Sequence, residues 1–168
     1  MGRRRKLLIA VILLLFFLDI TIIFGQYYKE KVEIFILSQG EIHVIHNIEA
    51  ENVEPIIIKT IGTPYLMIVT DSKGNPLLYN YSEGVIQVLP IPGETINITY
   101  FSKLHTNNNS IYTLTIPSSY QNIKIYIADI YVLLDTSPFP DDITVTNNWT
   151  ILVYNRLEEN LSVHVFEV

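Results

Sequence analysis

The sequence predicts an all-β fold, an antiparallel β-sandwich of immunoglobulin-like or related type, set behind one N-terminal transmembrane helix. Three features predict it: an apolar run at residues 7–24, short stretches rich in Ile, Val, Tyr and Thr that recur every eight to twelve residues beyond it, and turn residues between those stretches. No segment after residue 26 keeps a helical period. The 168 residues amount to about one domain. Hydrophobic residues at 49% against 17% charged argue for a folded chain and against disorder or a coiled coil.

The expected organisation is a basic cytoplasmic segment at 1–6, a transmembrane helix or signal-anchor at 7–24, and an extracytoplasmic sandwich domain at 25–168. As a helix, the apolar run spans roughly 27 Å at about 1.5 Å per residue, enough to cross a bilayer's hydrocarbon core. About fifteen apolar residues worth roughly -0.3 to -0.6 kcal/mol each outweigh one carboxylate, Asp19, at about +2.5 to +3.5 kcal/mol. Arg3, Arg4, Arg5 and Lys6 hold the N-terminus inside by the positive-inside rule. The same outline fits a cleaved signal peptide with Gly25 at the cleavage point, although Ile23, two positions earlier, is larger than such sites favour. Arg4 and Arg5 loosely fit a twin-arginine signal, as an ordinary basic flank also does. Asp19 is a candidate contact for a partner's helix, or a side chain that reaches the interface.

Strands are expected at 32–37, 41–48, 55–61, 65–70, 77–81, 85–89, 95–101, 111–116, 123–127, 130–134, 143–146, 150–154 and 161–168. Turns at 38–40 and 71–76 are expected to close hairpins, and those at 90–93, 117–119 and 138–142 separate the rest. This spacing fits two packed antiparallel sheets, with a closed barrel as the alternative. Alternation assigns faces: Ile96, Ile98 and Tyr100 oppose Thr95, Asn97 and Thr99, and Ile123, Ile125 and Ile127 oppose Lys124 and Tyr126. The second member of each opposition is expected to be wet.

Charge and chemistry narrow the function classes. Residues 26–168 carry 7 basic and 16 acidic side chains, a net of -9, which argues against nucleic acid as a partner. Without cysteine there is no disulfide framework, thiolate metal site or cysteine nucleophile. N-x-S/T sequons stand at Asn80, Asn97, Asn108, Asn148 and Asn160, where thirteen Asn would give about two by chance, so these are candidate glycosylation sites. A Thr- and Asn-rich strand surface that makes sequons incidentally is the competing explanation. His43 and His46 lie three apart on a strand, point to opposite faces and cannot share an ion without a bulge. His105 and His164 add no metal-ligand spacing. The segment 71–75 lacks the distal Glu of a calcium loop and reads as a turn, as do Asp141 and Asp142 beside Pro138 and Pro140. No G-x-S-x-G, H-E-x-x-H or phosphate-cradling loop is present, and adjacent Glu158 and Glu159 make a poor glycosidase pair. No residue is therefore assigned a catalytic, cofactor or metal role, and no enzyme is expected. Eleven Tyr, including outward Tyr126, suggest carbohydrate or protein contact, or simply good strand formers.

A basic N-terminus with a Leu-rich helix, and a Cys-free outer region rich in Ile, Tyr, Thr and Asn with scattered sequons, resemble the small single-pass, glycosylated cell-envelope proteins of thermoacidophilic archaea. The resemblance is one of architecture and composition over the whole chain. Archaellum stator proteins share the layout, as do glycosylated filament subunits if Gly25 is a cleavage point; type IV pilins fit less well. The resemblance implies an acidic medium, in which few charges leave little to be lost on protonation. The leading expectation is a membrane-anchored extracytoplasmic binding or structural module, an accessory subunit of an envelope or membrane complex, with the bilayer contacted through 7–24 and a membrane or envelope protein, or itself, as partner. The alternatives are a secreted, signal-cleaved filament subunit that lends its first strand to a neighbour, and an extracytoplasmic hydrolase.

Overall fold

The computed structural model describes residues 28–51, 53–106 and 110–168, and the chain there is all β apart from one 3-10 turn. Strand β1 (Tyr28–Ile36) turns through Ser38–Gly40 into β2 (Glu41–Ala50). There follow β3 (Ile56–Lys59), β4 (Tyr65–Thr70), β5 (Tyr79–Ser82), β6 (Val85–Val88) and β7 (Thr95–Lys103). The second half supplies β8 (His105–Thr106), β9 (Ile111–Ile116), β10 (Gln121–Ala128) and β11 (Tyr131–Ser137). The last strands are β12 (Asp142–Val145), β13 (Trp149–Arg156) and β14 (Leu161–Glu167).

These strands form three sheets, where two were expected. The largest runs β12-β13-β10-β1-β2-β7-β4, the second β11-β14-β9-β8 and the third β3-β6-β5. The large sheet is mixed and not purely antiparallel, because β1 pairs with β10 in parallel, Val32 opposite Ile123 through Ile36 opposite Ile127. A parallel pair needs a long crossover, and the chain supplies it by visiting both smaller sheets between β1 and β10. The turn at 71–76 forms, with Thr70 bridged to Pro76, but it does not close a hairpin of neighbouring strands: β4 belongs to the large sheet and β5 to the third. The expected helix at 7–24, Arg3, Arg4, Arg5, Lys6, Asp19, Gly25 and Asn108 lie outside the described residues. Among the described residues no helix is long and apolar enough to cross a membrane.

Period-two alternation builds the core. Val32, Ile34 and Ile36 of β1, Ile42, Val44 and Ile48 of β2, Ile96, Ile98 and Tyr100 of β7, and Ile123, Ile125 and Ile127 of β10 are all buried on one face of the large sheet. The two smaller sheets cover that face in a sandwich-like arrangement, adding Ile56, Ile58, Ile86 and Val88 from one and Leu114, Ile116, Leu161, Val163 and Val165 from the other to a single cluster. Polar struts tie the layers. Tyr131 Oη on β11 donates to the Leu37 carbonyl (2.7 Å) and accepts from the Gly40 N–H (2.8 Å), clamping the β1–β2 turn from the opposite sheet. Thr136 and Tyr154 join β11 to β13 at 2.6 Å.

That turn requires glycine. Gly40 has a left-handed φ of 66°, and a Cβ there would run into the Tyr112 ring, whereas Gly74, with φ 83°, has nothing within 4 Å of the corresponding point. Gly40→Ala is therefore expected to destabilise by about 3 kcal/mol, combining left-handed strain with overpacking, and Gly74→Ala by about 1 kcal/mol from strain alone. Thermal melts followed by circular dichroism check the order, and equal losses would contradict it.

Candidate functional site

The outward face of the large sheet carries a row of six rings, one from each of six adjacent strands: Trp149, Tyr126, Phe35, His43, Phe101 and Tyr65. Register places them. Phe35 stands opposite both Tyr126 on β10 and His43 on β2, and Phe101 on β7 stands opposite both His43 and Tyr65 on β4. Trp149 pairs with Ala128, two residues along β10 from Tyr126. Ring centroids are 4.4 Å apart for Phe35 and Tyr126 and 4.6 Å for His43 and Phe101, with planes within 8° and 13° of parallel. Strands lie about 4.8 Å apart, so these pairs stand upright on the sheet, faces against each other and edges to solvent. Phe35 and His43 at 6.0 Å, and Phe101 and Tyr65 at 6.0 Å, join the pairs. Trp149 meets Phe35 and Tyr126 edge-on at 5.9 and 6.2 Å. Five strand spacings make a ridge of about 24 Å.

Polar atoms fix the row from its flanks. Tyr126 Oη donates to Glu33 (3.3 Å), Tyr65 Oη to Glu41, and His43 Nε2 meets Thr99 Oγ1 at 2.6 Å. The Tyr65 hydroxyl is held above its usual pKa chiefly by its bond to Glu41, and that of Tyr126 chiefly by burial, with Glu33 adding to it. Burial lowers the His43 pKa below its usual 6.5. On the same face, toward the start of β1, the rings give way to a shallow groove of about 420 Å³ between β7 and β13, lined by Lys29, Lys31, Glu49, Lys124, Val153 and Asn155 among others.

Beneath this face lies a buried polar chain. Glu30 Oε1 and His46 Nδ1 are 2.7 Å apart, and His46 Nε2 is 3.3 Å from Tyr100 Oη, which accepts the Ile61 N–H at 2.9 Å. A carboxylate, an imidazole and a hydroxyl in line have the parts of a hydrolytic relay, but Tyr100 is fully buried and burial pushes its pKa up, so the chain ends in the core and not at a nucleophile that a substrate can reach. Tyr120 packs its ring 5.8 Å from His46.

The predicted site residues are dispersed. Asn80 is exposed on β5, Asn148 is exposed in the β12–β13 turn next to Trp149, and exposed Asn160 accepts the Ser118 N–H at 3.0 Å. Asn97 is half-buried in mid-sheet, its Nδ2 donating to the Asp71 carbonyl at 3.3 Å. His43 and His46 do face opposite sides of β2. Asp71 spends its carboxylate on Lys73 N, Asn75 N and Asn75 Nδ2, each at 2.8 Å, as a turn residue does, and its pKa is lowered chiefly by the Asn75 side chain. Among the described residues no three His, Asp or Glu side chains group as a metal site. Sequence reasoning placed Tyr126 outward but missed the row and the Glu30–His46 pair; the only advance signal was that each residue sits at the right parity in its own strand.

Two outcomes follow. His46→Leu strands the buried Glu30 carboxylate and is expected to cost about 3–5 kcal/mol, whereas Glu30→Leu combined with His46→Leu recovers most of the loss; a double variant as unstable as the single one, in thermal melts, would refute the pairing. For His43 the folded pKa is below the unfolded one, so its contribution is complete above about pH 6.5 and is lost as pH falls through its folded pKa. His43→Gln should flatten that part of the stability profile between neutral and mildly acidic pH.

No protein-family model matches the chain, and no curated protein sequence matches it significantly. Solved structures do resemble it. An M1 zinc metallopeptidase from Deinococcus radiodurans superposes with a TM-score of 0.51 at 11% identity, over 84% of this chain and 43% of that one. A putative nutrient binding protein from Legionella pneumophila superposes with a TM-score of 0.52 at 12% identity, over 83% of this chain and 67% of that one. A two-domain M1 zinc metallopeptidase with L-tryptophan bound gives 0.51 at 11% identity, again over 84% and 43%. This chain thus spans less than half the length of the metallopeptidases, and at these identities the likeness is one of fold alone.

Proposed function

We propose that the chain is a membrane-anchored extracytoplasmic binding module, an accessory or structural subunit of a cell-envelope complex, whose β-sandwich domain meets a protein partner through the aromatic row. The row carries this reading. Six rings aligned across six strands on the face away from the core form a contiguous half-exposed apolar ridge, the kind of feature that marks a contact surface. The ridge offers ring edges, because the stacked pairs hide their faces; edges pack against the side chains of another protein, whereas a sugar needs a free face.

The filament alternative is weaker because β1 is bonded on both sides, to β2 and β10, and has no free edge to lend. The hydrolase alternative is weaker because the carboxylate–imidazole–hydroxyl chain found among the described residues ends in the core.

The reading is tested on native protein from the membrane fraction and the medium. The intact mass of the membrane form should include residues 1–25; a chain beginning at Gln26 would overturn the anchor. Glycan mass should fall in Asn148→Gln, whose side chain is exposed, and not in Asn97→Gln, whose amide is engaged in mid-sheet. A photo-crosslinking residue at position 45, on the same face two residues from His43, should give one adduct of defined mass. Tyr126→Ala with Trp149→Ala should lower its yield about tenfold, as expected for losing anchors worth about 1–2 kcal/mol. An undiminished yield would remove the row from the interface.

A further inference from the structure

Register arranges the outward face of the large sheet in three rows. Beside the rings, toward the start of β1, runs a row of Val153, Lys124, Glu33, Ile45, Thr99 and Ile68, and the row after it holds Lys31, Asn47 and Asn155 of the groove. The face thus carries a ridge and, about 13 Å away and alongside it, a recess. In the row between them Ile45 and Val153 are half-buried and Ile68 is exposed. The ionised side chains that alternation points outward on the seven strands balance, Lys29, Lys31, Lys103 and Lys124 against Glu33, Glu41, Glu49 and Asp142. On a domain with a net charge of -9 this face is neutral, so a second copy meets it without the repulsion offered elsewhere.

We propose that two copies of the chain associate through this face, the ring row of each seated in the groove of the other. This names the partner of the row and rests on the row being a contact surface. One symmetry operation achieves it. A two-fold axis in the interface plane, perpendicular to the strands and over the middle row, reverses position along each strand and keeps position across the sheet. Phe35 then comes over the position of Lys31 in the other copy, and His43 over that of Asn47, because Glu33 and Ile45 lie midway. Glu33 and Lys124 stand side by side on the axis, so the middle row meets its own image with no net charge. The faces pack as aligned sheets about 10 Å apart, and the contact is isologous and closes at two. Five strand spacings by the run from Lys29 to Phe35 make a patch of about 24 by 20 Å. Two such patches remove roughly 1,000 Å² from water before side-chain relief is counted, which is where specific interfaces begin. The two β1 strands run in opposite directions, so the chains before residue 28 leave from opposite ends of the pair. On the membrane-anchored reading, the pair joins copies held in two facing membranes.

The full chain purified in detergent tests the pairing. Sedimentation should give the mass of two chains, and a photo-crosslinking residue at position 45, over the axis, an adduct of twice the chain's mass. The sequence has no cysteine, so a single nitroxide at Ser38→Cys reports the geometry. Ser38 lies five residues beyond Glu33, about 17 Å along the strands, which sets the two labels about 35 Å apart. A separation near the sheet spacing, about 10–15 Å, would place ring row against ring row and overturn the arrangement. Asn47→Trp fills the groove away from the rings and should weaken association about tenfold or more with an unchanged circular dichroism spectrum; Asn155→Trp is the second groove variant. Association that survives both groove variants overturns the proposal. An adduct of a different mass gives the row to another protein, which overturns the pairing and leaves the row's contact role in place. A monomer that yields no adduct at position 45 overturns both.

Discussion

Strand β1 sits at the middle of the large sheet with hydrogen-bonded neighbours on both flanks, and the rest of the molecule is arranged around that placement. Its antiparallel partner β2 arrives through a tight turn, whereas its parallel partner β10 arrives only after the chain has built both smaller sheets. The parallel pairing is thus the seam that joins the first half of the domain to the second. Non-local pairing of this kind demands loop closure before it returns any stability, whereas the β1–β2 pairing is local.

The hairpin holds it with polar chemistry as well as apolar pattern. A slip of one residue in β1 would exchange Val32, Ile34 and Ile36 for Lys31, Glu33 and Phe35 in the core. Glu30 and His46 make the true register the satisfied one, since both are buried and their polar atoms meet at 2.7 Å. At the far end Tyr131 clamps the turn itself, so the strand is fixed near both its ends by side chains on other elements.

With one face committed to the core, the other face of the same sheet becomes the surface on which the protein can act. Its two halves differ in kind. Toward the start of β1 it is lined by lysine and asparagine side chains; toward the end of β1 it carries the stacked rings. Strand pairing produces this division, because β1, β7 and β10 run one way and β2, β4 and β13 the other, so that residues from five separate stretches of sequence gather at the groove and from six at the row of rings.

The sequence by itself determined the all-β class and nearly every strand, and 65–70 and 111–116 match β4 and β9 at both ends. It did so because period-two alternation and turn residues are local and the inward rows of Ile and Val are long enough to be counted. It missed β8, two residues with no alternation to count, and it misjudged the pairing after 71–76 and the parallel β1–β10 seam. Parity placed Tyr126 outward and set His43 and His46 on opposite faces, but nothing local says that Phe35 will lie against Tyr126, ninety-one positions away, or that His46 will find Glu30. The tertiary structure decided strand order and register. Those two choices alone turned scattered aromatic, lysine and asparagine residues into a ridge and a groove, because contacts across strands are set by which strands become neighbours and not by spacing along the chain.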